Sequence, residues 1–452
     1  MGFVRNVTQG IQDILGSSIA ASSPIIVNKG PDGDIIAGDI NIIDITMSSI
    51  DGNRKYNLIK QCISMDIYES IHAPAIFCEL NINDSARVYQ EFPIIGEELI
   101  SISFETPSNP GTPTTYIFHV NEVKNKIINE NQKTMSYTLQ CVSPEIMTNA
   151  IEFVDKDFDD TVSNIVKNIM EERIKTKKKV EVDKTIGVDK YHIFNLEPFR
   201  AIHSLIPMAL SDRYLSHSYV FFENRNGYQF TTYEKLIEQG KKQLSKGLSD
   251  KQFFYDAVRK ERIEDVNIRN IIAYNQLSAT DTISKLRGGG YIGTATSINF
   301  QTAGQRQSVY TGNIGLDNFQ TLDENGAAQN STGNIRAGSK TKRPTAYNLL
   351  PIFSSRSKTP LTEAFASRQA YIQYLTQNIT QIHIYGDSEI TVGDVINCKF
   401  PSAGSFDDDT GVSRLDSGNY LVTHVRHMII NGDRPQHTMS LEIVKNDLSE
   451  TA

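Results

Sequence analysis

Apolar and polar residues alternate with period two through much of residues 41–143. "ISISFET" sets Ile100, Ile102 and Phe104 on one face and Ser101, Ser103 and Glu105 on the other. "TMSYTLQCVS" repeats the pattern with Met135, Tyr137, Leu139 and Cys141. Successive strand side chains point to opposite faces, so this alternation predicts half-buried antiparallel strands. Turn-forming clusters divide the runs: "DGN" at 51–53, "PSNPGTP" at 107–113 and "NENQ" at 129–132. Strands at such short spacing predict a sandwich or barrel.

The period changes over residues 157–180. Val162, Ile165, Val166 and Ile169 share a helical face, with Asp159 or Asp160 expected to cap its start. "KTKKK" at 175–179 suits the negative end of that helix and reads as a solvated tail. A second helix is expected from Pro198, with Phe199, Ile202, Leu205 and Ile206 inward. "SYVFFENRNGYQFTTY" predicts an aromatic hairpin turning at Asn226 and Gly227, with a further helix from Tyr233.

Strands resume at 266–276. The stretch at about 301–360 is polar and carries Arg336, Lys340, Lys342 and Arg343. It reads as a loop or as an arm that becomes ordered on a partner. A helix at about 362–379 would turn Phe365, Tyr371, Tyr374 and Leu375 inward, and 380–446 is β again. The N-terminal residues also form an amphipathic helical pattern, with Phe3, Val7, Ile11, Ile14 and Leu15 on one face. They match neither a signal peptide nor a myristoylation site.

Composition sharpens this picture only in places. The 452 residues carry a net charge of −8, which argues against a general nucleic-acid binder. No apolar run is long enough to span a membrane, so no membrane anchor is expected. Cys62, Cys78, Cys141 and Cys398 each lie in an apolar run, and four buried free thiols are expected.

Candidate chemistry is sparse. "GGGYIG" at 288–293 has the spacing GxGxxG, but the β-prone "TATSINF" follows it where phosphate binding requires a helix. A bend or bulge in a sheet is the better reading. Asp407, Asp408, Asp409 and Asp416 crowd one loop without the ligand order of a calcium site. Three of the nine histidines, His424, His427 and His437, fall in fourteen positions. Strand composition places His424 and His427 on opposite faces. If "NGDRP" at 431–435 is the turn, Ile430 faces Gln436 and His427 faces Met439. His437 then lies diagonally from His427, about 7 Å away. This predicts no metal site, with Met439, Leu441 and Ile443 as a buried row and the histidines at a surface or interface. No catalytic, cofactor-binding or metal-ligating residue is assigned.

Four stretches in order resemble the baseplate hub subunit of contractile-tailed bacteriophages, related to the N-terminal hub part of VgrG spike proteins. They are "ISMDIYESIHAPAIFCELNINDSARVYQEFPIIGEELISISFETP" at 63–107, "LEPFRAIHSLIPMALS…SYVFFENRNGYQF" at 196–230, "ITVGDVINCKFPSAG" at 390–404, and the closing hairpin "SGNYLVTHVRHMI…HTMSLEIVKN". The resemblance implies a mainly β fold with an α+β middle part. It has two tube-like antiparallel β-barrel domains and a helix–hairpin–helix region between them. The boundaries expected are 1–45 for an N-terminal helix and arm, 46–150 for the first barrel, 151–260 for the middle, and 261–448 for the second barrel. The polar stretch at 301–360 interrupts the second barrel.

The resemblance also implies a structural, non-enzymatic homotrimer without cofactors. It would adapt a sixfold tail tube, or a tube-initiator protein, to a trimeric central spike. Baseplate wedge and tape-measure proteins are further expected partners. Genomic DNA would meet the chain only in transit. The location implied is the virion baseplate, after assembly in the host cytoplasm. The chain ends soon after its closing hairpin, which fits a hub whose spike is a separate protein. Two alternatives stay open: the hub part of a type VI-like secretion spike, and a tail-associated hydrolase of peptidoglycan or polysaccharide.

Overall fold

A computed structural model describes residues 37–49, 52–92, 94–129, 134–245, 251–255, 268–278, 292–299, 304–311, 322, 326–328, 368, 371–373, 375–376, 378–402, 412–413 and 416–449. The expected N-terminal helix, Asp407–Asp409, Phe365, Tyr374 and most of 301–360 lie outside these residues.

The strands of the first region are β1 (Asn41–Ser48), β2 (Lys55–Asn57), β3 (Cys62–Ser70), β4 (Phe77–Asp84), β5 (Leu99–Glu105), β6 (Thr114–Asn129) and β7 (Thr134–Val142). Their inward residues are those the alternation selects. Ile100, Ile102, Phe104, Leu139 and Cys141 are buried among one core of aliphatic side chains. Two carboxylates fold the connection from β4 to β5. Asp84 accepts from the amides of Ala86, Val88 and Tyr89 at 3.1, 2.9 and 2.9 Å, and so starts the single turn Val88–Glu91. Glu98 accepts from the amides of Ile95, Gly96 and Glu97 at 2.8, 3.0 and 3.2 Å.

The middle region contains α1 (Pro144–Ile151), β8 (Val154–Asp160), α2 (Val162–Ile169), β9 (Val180–Val182), β10 (Thr185–Ile186), β11 (Asp189–Leu196), α3 (Pro198–Leu205), β12 (Leu210–Ser211), β13 (Tyr219–Asn224), β14 (Gly227–Thr232) and α4 (Tyr233–Ser245). The cap of α2 is Thr161, whose Oγ1 accepts from the Asn164 amide; Asp160 instead receives the Thr161 amide at 2.6 Å. The shorter hydroxyl side chain is the one that reaches the first free amides. The hairpin pairs Asn224 with Gly227, so its tip is Arg225–Asn226, one residue earlier than expected. Gly227 is needed for two reasons: its φ is 114°, and a Cβ there would stand 2.2 Å from the Lys179 carbonyl oxygen.

The "KTKKK" segment is not simply a solvated tail. Lys178 points inward, with Nζ 2.7 Å from Glu145 Oε2 and 2.6 Å from Glu223 Oε1. Burial pulls its pKa down, but the two carboxylates outweigh burial and leave it raised.

The last region adds β15 (Gln252–Phe254), β16 (Ile271–Ser278), β17 (Ile292–Asn299), β18 (Gly304–Thr311), β19 (Gly326–Ala328), β20 (Asn378–Tyr385), β21 (Val395–Lys399), β22 (Gly418–Ile430), β23 (Gln436–Lys445) and β24 (Asp447–Ser449). The polar stretch thus opens with a strand, because β18 pairs with β17. Residues 368, 371–373 and 375 are helical, Tyr371 and Leu375 are buried, and the next strand already begins at Asn378.

The two β regions expected as barrel domains are hydrogen-bonded into one sheet while keeping two cores. Its order is β16-β20-β23-β22-β3-β4-β7-β6-β5-β1-β2, with β21 and β15 branching from β22. The join is β22 against β3, in register from His424 opposite Ser70 to Ile430 opposite Ser64. No full strand ladder among the described residues closes either half into a barrel, but single bridges return in both: in the second half Phe254 of β15 bridges Asn270, just before β16. The chain before β1 does return to β23 through the single bridge of Asp39 to Gln436, where Arg434 Nε donates to Asp39 at 2.7 Å. β22 is long enough to serve both halves: Ile429 enters the first core, while Leu421, Val422 and Val425 enter the second. A third core belongs to the middle region.

Candidate functional site: a polar face, an open edge and a buried seam

The sheet buries one face and presents the other. Cross-strand register lines up its outward residues in rows. One row runs Ile430, Ser64, Asn81, Thr138, Lys124 across β22, β3, β4, β7 and β6. Asn81 Nδ2 donates to Ser64 Oγ at 3.0 Å, and Thr138 Oγ1 donates to Asn81 Oδ1 at 2.9 Å. The next row runs Met428, Asp66, Glu79, Gln140, Glu122, with Gln140 Nε2 donating to Glu79 at 2.7 Å. Two cations on these strands sit beside acids, Arg426 Nε 3.0 Å from Asp66 and Lys124 Nζ 3.3 Å from Glu122, while Lys126 on β6 lies over the Tyr89 ring at 3.8 Å. The result is a hydrogen-bonded surface of short polar side chains with an excess of carboxylates.

The two ends of the sheet differ. At one end β1 carries a register shift between Ile42 and Asp44 and is partly covered by β2. At the other, β16 pairs with β20, with register shifts between Ile271 and Ala273 and between Gln276 and Ser278, and Phe254 of β15 bridges Asn270 just before it. Its sequence "IIAYNQLS" has no charge and no proline, and five consecutive residues from Ala273 to Leu277 are exposed. Tyr274 leads inward from this edge through Phe400, at 4.8 Å between rings, to Tyr420. Charge and proline, two usual guards of an edge strand, are missing from β16, and only its two register shifts interrupt the edge.

Where the halves join, the hairpin tip of the middle region wedges between them. Arg225 donates to the Ser388 carbonyl, and Asn224 Nδ2 donates to the Val392 carbonyl at 3.3 Å. Ser388 and Thr106 share a hydroxyl contact of 2.7 Å, which ties the loop after β20 to the end of β5. The centre of the seam is Glu69, 2% exposed. It accepts from Tyr116 Oη at 3.2 Å, from the Val392 amide at 3.3 Å and from the Thr391 hydroxyl. Burial pushes its carboxyl up to about 7; those hydrogen bonds and the nearby Arg225 offset only part of that rise.

The histidines belong to the same seam. His424 and His427 do point to opposite faces, and the register is the expected one: Ile430 opposite Gln436, His427 opposite Met439. His424 faces outward beside Glu442 at 2.9 Å. His427 and His437, however, are buried, not at a surface, at 1% and 0% exposure. Nor is His437 without a close partner: its Nε2 lies 3.0 Å from His427 Nδ1. The imidazoles lean toward each other across the diagonal of the hairpin, which shortens the separation that backbone spacing alone suggests. Room for them comes from Gly386, where a Cβ would stand 2.1 Å from the His437 ring. Burial and the charge of Arg225 lower His427 to about 4, and burial holds His437 well below its usual value.

Other residues singled out by sequence do not converge on this seam. Among the described residues, no group of three or more His, Cys, Asp or Glu is placed to hold a metal ion. β17 begins at Ile292, inside "GGGYIG", so a strand and not a helix follows those glycines. Asp416 hydrogen-bonds locally, to Ser413, and its carbonyl accepts from the Tyr420 hydroxyl. The four cysteines are buried free thiols, and burial pushes Cys62 up to about 12. Met439, Leu441 and Ile443 are the buried row expected. Sequence reasoning missed Glu69 and Glu223. Each is a charged residue at an inward position of an otherwise regular strand, and that parity is the signal that could have found them. Among the described residues no helix is long and apolar enough to cross a membrane.

Solved structures share this fold. The 43 kDa tail protein of prophage MuSo2 from Shewanella oneidensis matches 89% of this chain and 98% of its own, at 11% identity and a TM-score of 0.53. The tail protein from Neisseria meningitidis MC58 matches 90% of this chain and 97% of its own, at 10% identity and a TM-score of 0.53. A PdpA–VgrG complex of Francisella aligns more loosely, at 11% identity, over 99% of this chain and 64% of its own, with a TM-score of 0.46. No protein-family model matches the sequence, and no curated protein matches it. The fold is therefore that of phage tail proteins, shared at the level of structure and not of sequence.

Proposed function

We propose that the chain is a structural hub subunit of a contractile phage tail, assembling as a homotrimer between a sixfold tail tube and a threefold central spike. The observation that carries this reading is the open edge at β16. An uncharged, exposed edge strand at the end of a large sheet is a template for pairing with another chain. A head-to-tail contact that closes into a ring uses two different surfaces of each copy, and the two unlike ends of this sheet fit that requirement. The likeness to tail proteins supports the same assembly, with the two half-sheets as tube-like units. The polar face adds a reason for a role in DNA passage. Arg426 and Lys124 are held beside carboxylates, so a polyanion sliding past meets few free cations there. A non-enzymatic role in the virion follows from the same reading.

Native mass spectrometry of the full chain tests it. The expected species is a trimer of the 50.6 kDa chain, alone or with its spike protein. Asn275→Lys with Leu277→Lys should leave a folded monomer, since lysines on an edge block strand addition. A wild-type chain that stays monomeric with both tube and spike proteins present would overturn the reading.

A further inference from the structure

The β8–β11 ribbon is covered on one face only. Val154, Phe158, Tyr191 and Ile193 enter the middle core from its inner face. Its outer face has two parts. Asp155, Asp157 and Asp159 alternate along β8 and are all exposed. Lys190 lies 3.6 Å from Asp159 and His192 contacts Asp157, so three carboxylates face one lysine. Toward α1 the surface turns apolar: Ile151, Phe153 and Phe194 are 76%, 46% and 70% exposed. A register shift after Ile193, with Asn195 at φ 47°, follows Phe194 on the outer face. A two-stranded ribbon is weak without cover, and clustered exposed aromatics mark a docking surface.

One segment of this chain has the complementary chemistry in the same order. Residues 325–362 contain Arg336, Lys340, Lys342, Arg343, Arg356 and Lys358 and no acidic residue, in a chain of net charge −8. Within them, "KTKRPTAYNLLPIF" at 340–353 places three cations in four positions and then Leu349, Leu350, Ile352 and Phe353. The chain is described again at Arg368, whose guanidinium donates to the carbonyls of His217 and Tyr219 at 2.9 and 2.7 Å on the middle region. The residues between 353 and 368 can span up to about 50 Å when extended, more than the diameter of roughly 35 Å expected for a domain of about 100 residues.

We propose that residues 340–353 dock on the outer face of their own chain's β8–β11 ribbon. Lys340, Lys342 and Arg343 meet the aspartates of β8, and the apolar residues from Leu349 to Phe353 cover Ile151, Phe153 and Phe194. Buried apolar contact supplies most of the binding, and the charges set direction and register. This docking does not depend on trimer formation.

Hydrogen exchange of the full chain, read by mass spectrometry at low protein concentration, tests it. Amides of 345–353 should exchange at least tenfold more slowly than in a synthetic peptide of the same sequence. Phe153→Ser with Phe194→Ser should remove that protection while β13 and β14 stay protected. Asp155→Lys with Asp157→Lys should weaken it, and adding Lys340→Glu with Lys342→Glu should restore it. The charge swap decides the matter if the aromatic variant unfolds the ribbon. Peptide-like exchange in the wild type overturns the proposal. So does protection that survives in both ribbon variants. Protection that appears only as concentration rises would assign the ribbon to a second copy and overturn docking within the chain.

Discussion

The two halves of the sheet solve the same packing problem with different chain economy. The first is one continuous run, residues 41–142, in which β3–β4, β5–β6 and β6–β7 pair with their sequence neighbours. The second is gathered from distant pieces: β16 pairs with β20 across some hundred intervening residues. Local pairings are entropically cheaper to form than distant ones. Both outer strands are irregular, but β1 is also covered by β2 and carries Asp44, while β16 has no charge and, among the described residues, no second strand along its length. One half is built from a continuous stretch of chain; the other depends on pairings between distant stretches.

The most disruptive way to break this comparison is Leu441→Asp. Leu441 is fully buried in the second core, opposite Ile382 and Val425. An unpaired carboxylate there should cost at least about 4 kcal/mol. Hydrogen exchange should show β20, β22 and β23 losing protection while β4 and β7 keep theirs. Equal loss in both would mean that the shared strand β22 fuses the two cores into one cooperative unit.

The seam between the halves has a pH signature. Glu69 has a folded pKa raised from 4.5 to about 7. A raised carboxyl favours the folded state in its neutral form, so this stabilisation is full below 4.5 and is lost as pH rises through about 7. The buried histidines act in the opposite sense: their lowered values give stability that is present above 6.5 and lost as pH falls toward 4. Between 4.5 and 6.5 the Glu69 trend opposes that of the two histidines and offsets only part of it. Glu69→Gln removes the first trend. The amide oxygen can accept from Val392 and Thr391, and the amide nitrogen can donate to Tyr116. The stability of this variant relative to wild type should rise by about 1.4 kcal/mol per pH unit from 4.5 to 7, to a total of about 3 kcal/mol. Urea titrations across that range measure it, and a flat difference would show that Glu69 is not buried at a seam.

The same contrast explains what could be read from sequence. Period-two alternation placed the strands of 41–142, their inward faces and the register of the closing hairpin, because each depends on neighbours a few residues apart. The starts of α3 at Pro198 and of α4 at Tyr233 were legible for the same reason. The seam was not. Glu69 meets Thr391 and Val392 across more than 300 residues, and Lys178 finds Glu145 and Glu223 only once three elements are packed. The join of β22 to β3, which links the two β regions into one sheet, is a pairing of strands at opposite ends of the chain. The histidine pair was half legible: parity and register were right. The lean of two rings into the space beside Gly386 depends on tertiary packing.

The smallest effect is expected on the outward face, and it sharpens the comparison most finely. Arg426 stands on β22 opposite Ser440, one residue from Leu441, but points the other way. Its side chain is 25% exposed, pairs with Asp66 at 3.0 Å and lies over the Tyr68 ring at 5.4 Å. In a solvated setting Arg426→Ala should cost about 0.5–1 kcal/mol, and the coupling with Asp66→Ala in a double-mutant cycle should be about 0.5 kcal/mol and shrink with salt. Both strands of the pair straddle the seam, so the coupling reports on how wet that face is. A coupling above about 2 kcal/mol that ignores salt would mean that the pair is desolvated in solution. The polar face would then be covered by another surface, and a freely hydrated wall for passing DNA would have to be given up.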